Sequence, residues 1–351
     1  MTEQRKIIVP EDGTAPPDAE PAARRVVRSS VERAVEGFDL ARLGGIVLPA
    51  EGRQRVVMRE LSIETLPDLA EPVPATAAAE PQTPAAAAVP AATPVPPQLP
   101  EVPVQFPAVH HPIERKRLRE QGLIVPEGTV SGLMEEFRII KRQLLLGAMD
   151  LRRAGAGGAA QRVLICSPLP GEGKTYCATN LALAIAAEKE SEVVLVDADF
   201  AKPSILSTLG LPGGPGLMDA LTDPAIDVAD CVIGTDVPGL WVLPAGNATN
   251  SDSEYLASSR THAVLDRLTQ GAPQRIVIFD SPPALAASPA AELAQYVGQA
   301  VVVARADRTG QSALEDAIAL LSGCPNIQLL LNAARFSPSG RRFGSYYGYR
   351  G

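Results

Sequence analysis

No stretch of about 18 apolar residues occurs in the chain, so no segment is expected to span a membrane as a helix. The N-terminal MTEQRKIIVPEDG lacks the basic-then-apolar order of a signal peptide, and a cytoplasmic protein is the expectation. Positive charge is not in excess: 32 Lys and Arg face 40 Asp and Glu, for a formal net charge of −8. That balance leaves no general footprint for nucleic acid. The four cysteines, Cys166, Cys177, Cys231 and Cys324, form no CxxC pair and read as buried reduced thiols. His110–His111 has no Cys or carboxylate neighbours at metal-ligand spacing, so a zinc centre is not expected there.

Proline and alanine are plentiful instead, and unevenly placed. Residues 66–110 are dominated by Ala, Pro, Val and Thr, as in PQTPAAAAVPAATPVPPQLP. Proline fixes φ and removes a donor, so neither helix nor ladder runs through such a stretch, and a disordered linker is expected. Residues 1–65 mix charge with short apolar runs and read either as a small folded element or as a docking peptide. ARLGGIVLPAEG there faintly echoes KRLREQGLIVPEGT further on, a hint of a duplicated docking segment. A length of 351 residues allows two domains at about 150 each. One is expected, over 111–340, because the N-terminal third cannot build a core. Order is expected to resume near Ile113 with a short basic helix, IERKRLREQGL. Ser131 then caps a long helix with Leu133, Phe137, Ile140 and Leu144 on one face, although Met134 stands where a capping box wants Glu or Gln.

From Gln161 onward, RVLIC, EVVLVDAD, LWVLPAG, RIVIFDSPP, AVVVARAD and IQLLLNA are apolar runs without polar alternation. Strands buried on both faces have this composition. Helical patterns separate them over 175–189, 255–268, 289–296 and 312–321. Together they predict an α/β, doubly wound and mainly parallel sheet with helices on both faces. Ligands bind at the carboxyl ends of strands in such a sheet.

The chemistry-bearing residues fall at those ends. SPLPGEGKT follows RVLIC and opens the next helix, the context a P-loop requires. Pro170, Gly171, Glu172, Gly173, Lys174, Thr175 and Tyr176 are the candidate nucleotide-binding residues. The glycines let backbone N–H groups approach phosphate oxygens, helped by the helix N-terminus. Lys174 would meet the β- and γ-phosphates of ATP, and Thr175 would ligate Mg2+. The first glycine of the motif is replaced by Pro168. Asp197 and Asp199 end one strand and Asp280 another; Asp197 and Asp280 are candidate metal-side carboxylates, and all three join Lys174 as candidate catalytic groups. Asn332, ending IQLLLN, stands where a side-chain amide could read an adenine edge.

These residues resemble the bacterial tyrosine kinase family associated with extracellular and capsular polysaccharide synthesis. The resemblance covers about 113–351. SPLPGEGKT is similar to its Walker A segment, VVLVDADFAKP to its second Asp-bearing motif, and IVIFDSPP to its Walker B. GLMDAL and VLPAGN fall where the family has similar segments, and IERKRLREQGL with EEFRIIKRQLL resembles the branch encoded beside exosortase-linked loci. The resemblance implies an ATP- and Mg2+-dependent autokinase with a P-loop NTPase fold. It implies an oligomerisation surface at Glu135, Arg138, Lys141 and Arg142, ring assembly, and a membrane chain-length determinant as partner, which would place the protein beside the inner membrane. Departures are Ala201, where the family carries Arg, Lys141 in an Arg position, and Ser288 in place of an Asp.

The C-terminal GSYYGYRG, within residues 341–351, resembles the family's tyrosine cluster. Of six tyrosines in the chain, Tyr346, Tyr347 and Tyr349 lie here and are the candidate autophosphorylation sites. A sticky aromatic contact tail is the plainer reading. Two other functions stay open: a kinase-dead ATP-binding regulator, and a partition-type switch ATPase. The latter carries a signature Lys where this chain has Leu169.

Overall fold

The computed structural model describes residues 102–334 and, for the backbone alone, residues 60–62. The Ala/Pro-rich linker up to 101, the echo segment and the tyrosine cluster lie outside the described residues.

Six strands carry the fold: β3 (Arg162–Cys166), β4 (Glu192–Asp197), β6 (Leu240–Leu243), β7 (Arg275–Asp280), β8 (Gln299–Arg305) and β9 (Asn326–Asn332). They pair in parallel in the order β9-β8-β3-β7-β4-β6. Each of the six apolar runs in the sequence is one of these strands. β5 (Ile233–Thr235) runs antiparallel to β6, β2 (His110–His111) adds beside β5, and β1 (Glu60–Ser62) lies antiparallel on β9.

Helices cover both faces. On one side α1 (Arg115–Glu120), α2 (Gly132–Arg153) and α3 (Lys174–Ala186) bury Leu118, Phe137, Leu144, Leu181 and Ile185 against Ile165, Leu195, Ile278 and Val301. The alternate positions Leu164, Val194, Val277 and Phe279 are equally buried. α7 (Arg260–Thr269) packs on β7 there, and α8 (Pro289–Ala294) on β3. Period-two alternation with both faces apolar explains why the strands showed no polar alternation in sequence. Between them run α4 (Ile205–Leu209), α5 (Leu217–Thr222), α6 (Asp252–Leu256) and α9 (Gln311–Leu320).

α2 starts as expected, with Ser131 Oγ accepting the Met134 N–H at 3.2 Å. Three expectations need correction. The helical pattern over 255–268 is two helices, because Ser258 and Thr261 turn back onto the Tyr255 carbonyl instead of continuing the ladder. The folded domain includes Val102–His110, assigned by composition to the linker. Val104 donates its N–H to Gln270, and the Phe106 ring lies edge-on to Trp241 with the Arg275 guanidinium 4.2 Å from its centroid. A Pro-rich composition does not reveal that two apolar side chains in it find pockets. Lys141, placed by the resemblance among the oligomerisation residues, is 7% exposed in this chain and bonds Glu188. Its place in the helical period points it at α3.

Candidate nucleotide site

The sheet order brings three strand ends together. β7 lies between β3 and β4, with Ile165 paired to Asp280 and Asp280 paired to Asp197. The loop after β3 leads into α3, whose first residue is Lys174. Gly171 (φ +76°) and Gly173 (φ +96°) both take left-handed conformations, and a Cβ on Gly173 would sit 2.1 Å from Asn332 Nδ2. Only glycine fits at 173. Pro168 replaces the first motif glycine without breaking the loop, because the chain after β7 anchors that end: Ala284 donates to the Ser167 carbonyl at 2.8 Å and Leu285 to that of Pro168 at 3.2 Å.

Glu172 braces the loop from inside. It is 1% exposed, and its carboxylate accepts the Leu169 N–H and the Thr309 hydroxyl. Its carbonyl accepts from Asn332 Nδ2 at 2.8 Å, while Asn332 Oδ1 takes the Ala333 N–H at 2.8 Å. The Asn332 amide is therefore engaged in holding the phosphate loop. Tyr176 turns its side chain to the opposite side of α3, where its hydroxyl donates to the Gly122 carbonyl and its ring lies near Phe137. It brings no side chain to the loop mouth, because the helical turn carries it towards α1 and α2.

Lys174 Nζ lies 2.8 Å from Asp199 Oδ2, both side chains being largely buried. Asp197 is spent on backbone: Oδ2 accepts the N–H groups of Ser204 and Ile205 at 2.8 and 2.9 Å, and Oδ1 that of Asp199 at 3.3 Å. Burial raises its carboxyl above the usual range despite those bonds. Asp280 differs. It is fully buried, and neither carboxylate oxygen has a hydrogen-bond partner among the described residues. Burial pushes its carboxyl up to about 7, against the pull of the Lys174 charge and the nearby Thr175 hydroxyl. An unpaired buried carboxylate is costly, and a cation is what would satisfy it.

The loop after β8 was missed in sequence. Arg305 donates to the Gly171 carbonyl at 3.1 Å, and Thr309 holds Glu172. The only signal was its place at the carboxyl end of a strand. The segments GLMDAL and VLPAGN are clamped together: Asp219 accepts from Gly216 and Asn247, and a Cβ on Gly216 would meet the Pro244 carbonyl at 2.1 Å. Ser288 shares a hydrogen bond with Ser253 at 2.6 Å. On α2, Glu135 pairs with Arg138 within the helix, and Arg142 is exposed.

No protein-family model matches the chain. Among curated proteins it is similar to the tyrosine-protein kinase ptk of Acinetobacter johnsonii, 31% identical over 153 residues, which cover 44% of this chain and 20% of that protein. It is 28% identical to the tyrosine-protein kinase YwqD of Bacillus subtilis over 219 residues, 62% of this chain and 86% of YwqD. The wzc tyrosine-protein kinase of Salmonella typhimurium is 28% identical over 193 residues, 54% of this chain and 25% of that one. The chain thus spans about a fifth to a quarter of ptk and wzc. Of solved structures, the kinase domain of Escherichia coli tyrosine kinase ETK overlays with a TM-score of 0.49 at 20% identity, over 63% of this chain and 96% of that domain. On its sequence matches, the chain is similar to bacterial tyrosine-protein kinases over roughly half to two thirds of its length.

Proposed function

We propose that the chain is an ATP-dependent protein-tyrosine kinase that phosphorylates Tyr346, Tyr347 and Tyr349 of a second copy. Its role in this reading is to regulate polysaccharide polymerisation and export. The observation that carries the proposal is Asp280, an unpartnered buried carboxylate at the mouth of a loop built around two left-handed glycines. The donor set fits Mg2+ with a nucleotide: Thr175 and Asp280 would hold the ion, and the loop N–H groups the phosphates. When bound, the ion supplies charge that offsets the phosphate oxygens.

The side chains suit transfer to a phenol. Lys174 reaches Asp199 in this structure, and phosphate oxygens would compete for the same ammonium group. Asp199, relieved of that partner, would accept the phenolic proton. Asp197 shapes the loop that carries Asp199, since its own oxygens are taken by backbone N–H groups. The described residues contain no helix long and apolar enough to cross a membrane. In this reading the chain works at the cytoplasmic face of the inner membrane, bound to the tail of a chain-length determinant and assembled as a ring.

Incubating the purified chain with ATP and Mg2+ and mapping phosphotyrosine tests the proposal. Label on Tyr346, Tyr347 and Tyr349 that disappears in Lys174→Met supports it. ATP binding without phosphotyrosine, with or without partner tail, would leave an ATP-binding regulator instead.

A further inference from the structure

The geometry points to Arg308 as a second cationic contact for the nucleotide's phosphates, placed beside Gly171 of the P-loop; this rests on the nucleotide reading of the site. Arg308 belongs to the turn between β8 and α9. The turn is tight: Asp307 takes φ +60°, and the N–H groups of Arg308 and Thr309 both return to the Arg305 carbonyl. A left-handed non-glycine residue is sparsely populated and persists where its surroundings fix it.

Those surroundings are the phosphate loop. Arg305 donates to the Gly171 carbonyl, Thr309 bonds the Glu172 carboxylate, and Ala306 donates to the Asn332 carbonyl at 2.9 Å. The turn is fastened to the P-loop on both sides of Arg308. Arg308 Nη1 comes within 3.9 Å of the point where a side chain on Gly171 would begin. Gly171 leaves that space open.

Arg305 already satisfies the loop carbonyl, so the turn has no structural need of a second guanidinium. The Arg308 side chain is exposed and has no hydrogen-bond or ion-pair partner among the described residues. A free, always-charged planar donor beside a phosphate loop suits the oxygens of a di- or triphosphate, which it can grip through two N–H groups. Lys174 approaches as a point charge from the helix side. The pair would bracket the polyphosphate and favour nucleotides with more charge.

Binding of a fluorescent ATP analogue and of its ADP counterpart, with Mg2+, to the full chain tests the inference. Arg308→Ala is expected to weaken both about five- to tenfold at low salt, with an unchanged melting temperature, because a charge-assisted bond at an exposed site keeps only part of its full strength. The loss should shrink as ionic strength rises. Arg308→Lys should recover part of the affinity. Equal affinities for parent and Arg308→Ala at every salt concentration would overturn the role of Arg308 while leaving the nucleotide site standing. A parent that binds neither analogue would overturn both readings. A melting temperature lowered equally in the Ala and Lys variants, with the affinity loss insensitive to salt, would mark Arg308 as a brace of the turn and overturn the inference.

Discussion

At the scale of single residues, Asp280 is the point where stability and function pull apart. Its carboxyl is raised to about 7 by burial, while an unfolded chain holds it near the ordinary carboxylate value of about 4. The folded state therefore binds the proton more tightly. Stability from this group is fully present below about pH 4 and is lost as pH rises to about 7. Asp280→Asn is expected to raise the melting temperature of the ligand-free protein at pH 8 by about 3 °C or more, with the gain vanishing near pH 4. Mg·ATP affinity of the parent should rise with pH through about 7, as the carboxylate ionises, and the variant should lose that dependence. Thermal scans and nucleotide titrations across pH decide both. An Asn variant with the parent's melting temperature at both pH values would mean that Asp280 carries no burial penalty.

Asp199 and Gly173 make separate demands. Asp199→Asn removes the proposed proton acceptor but keeps the shape of the Lys174 contact, so phosphoryl transfer should fall about 10²- to 10⁴-fold with ATP affinity within a few-fold of the parent. Single-turnover kinetics beside equilibrium binding separates the two. Equal losses in both would reassign Asp199 to binding. At Gly173, a Cβ would collide with Asn332 and force a left-handed alanine, a strain of about 1–3 kcal/mol. Gly173→Ala should therefore lose nucleotide binding and melt earlier, both visible in one binding-and-melting series.

At the scale of elements, the sheet was legible and the junctions were not. β3, β4, β7 and β8 announce themselves because Val, Ile and Leu fill both faces, and that pattern has few other uses in a chain of this length. The P-loop was legible because its glycines, lysine and threonine sit between a strand and a helix. Hidden from the sequence was anything that depends on which side of a helix faces the sheet. Tyr176 looks like a loop residue by position, yet the turn of α3 carries its ring to Phe137 and Gly122. Lys141 looks like a surface charge in E-x-x-R-x-x-K, yet it is the inward position of α2 and meets Glu188. The consequence is testable. Lys141→Met should leave the oligomeric state unchanged and shift stability by about 1 kcal/mol or less, since Glu188 is half-exposed and can be solvated. Light scattering and urea melts on parent and variant check it. A shift to smaller assemblies in Lys141→Met alone would return this residue to a subunit contact.

At the scale of the whole molecule, the proposed autophosphorylation makes charge the term that would couple the site to the tyrosine cluster. The chain carries a net −8, and Asp197, Asp199 and Asp280 converge at the loop mouth. The C-terminal segment carries Arg341, Arg342 and Arg350 around Tyr346, Tyr347 and Tyr349. In the proposed reading, that segment when unmodified would bring positive charge to a neighbour's acidic strand ends, which would favour an assembly in which each tail visits the next subunit. Each phosphate adds roughly −1.5 to −2 charges at neutral pH. Three of them outweigh three arginines, by about −5 against +3, and reverse the attraction. Full phosphorylation is then expected to release the tail and loosen the assembly, so that the modification times a cycle of association and dissociation. Sedimentation of the unphosphorylated and fully phosphorylated chains, with partner tail present, reads this directly. A smaller species for the phosphorylated form is the expected outcome, and the difference should narrow in high salt because exposed charges are screened beyond about 10 Å at 0.1 M ionic strength. Equal sizes at low salt would leave the cluster as a substrate without a part in assembly, and would place the control of assembly on surfaces such as the exposed face of α2 around Arg142.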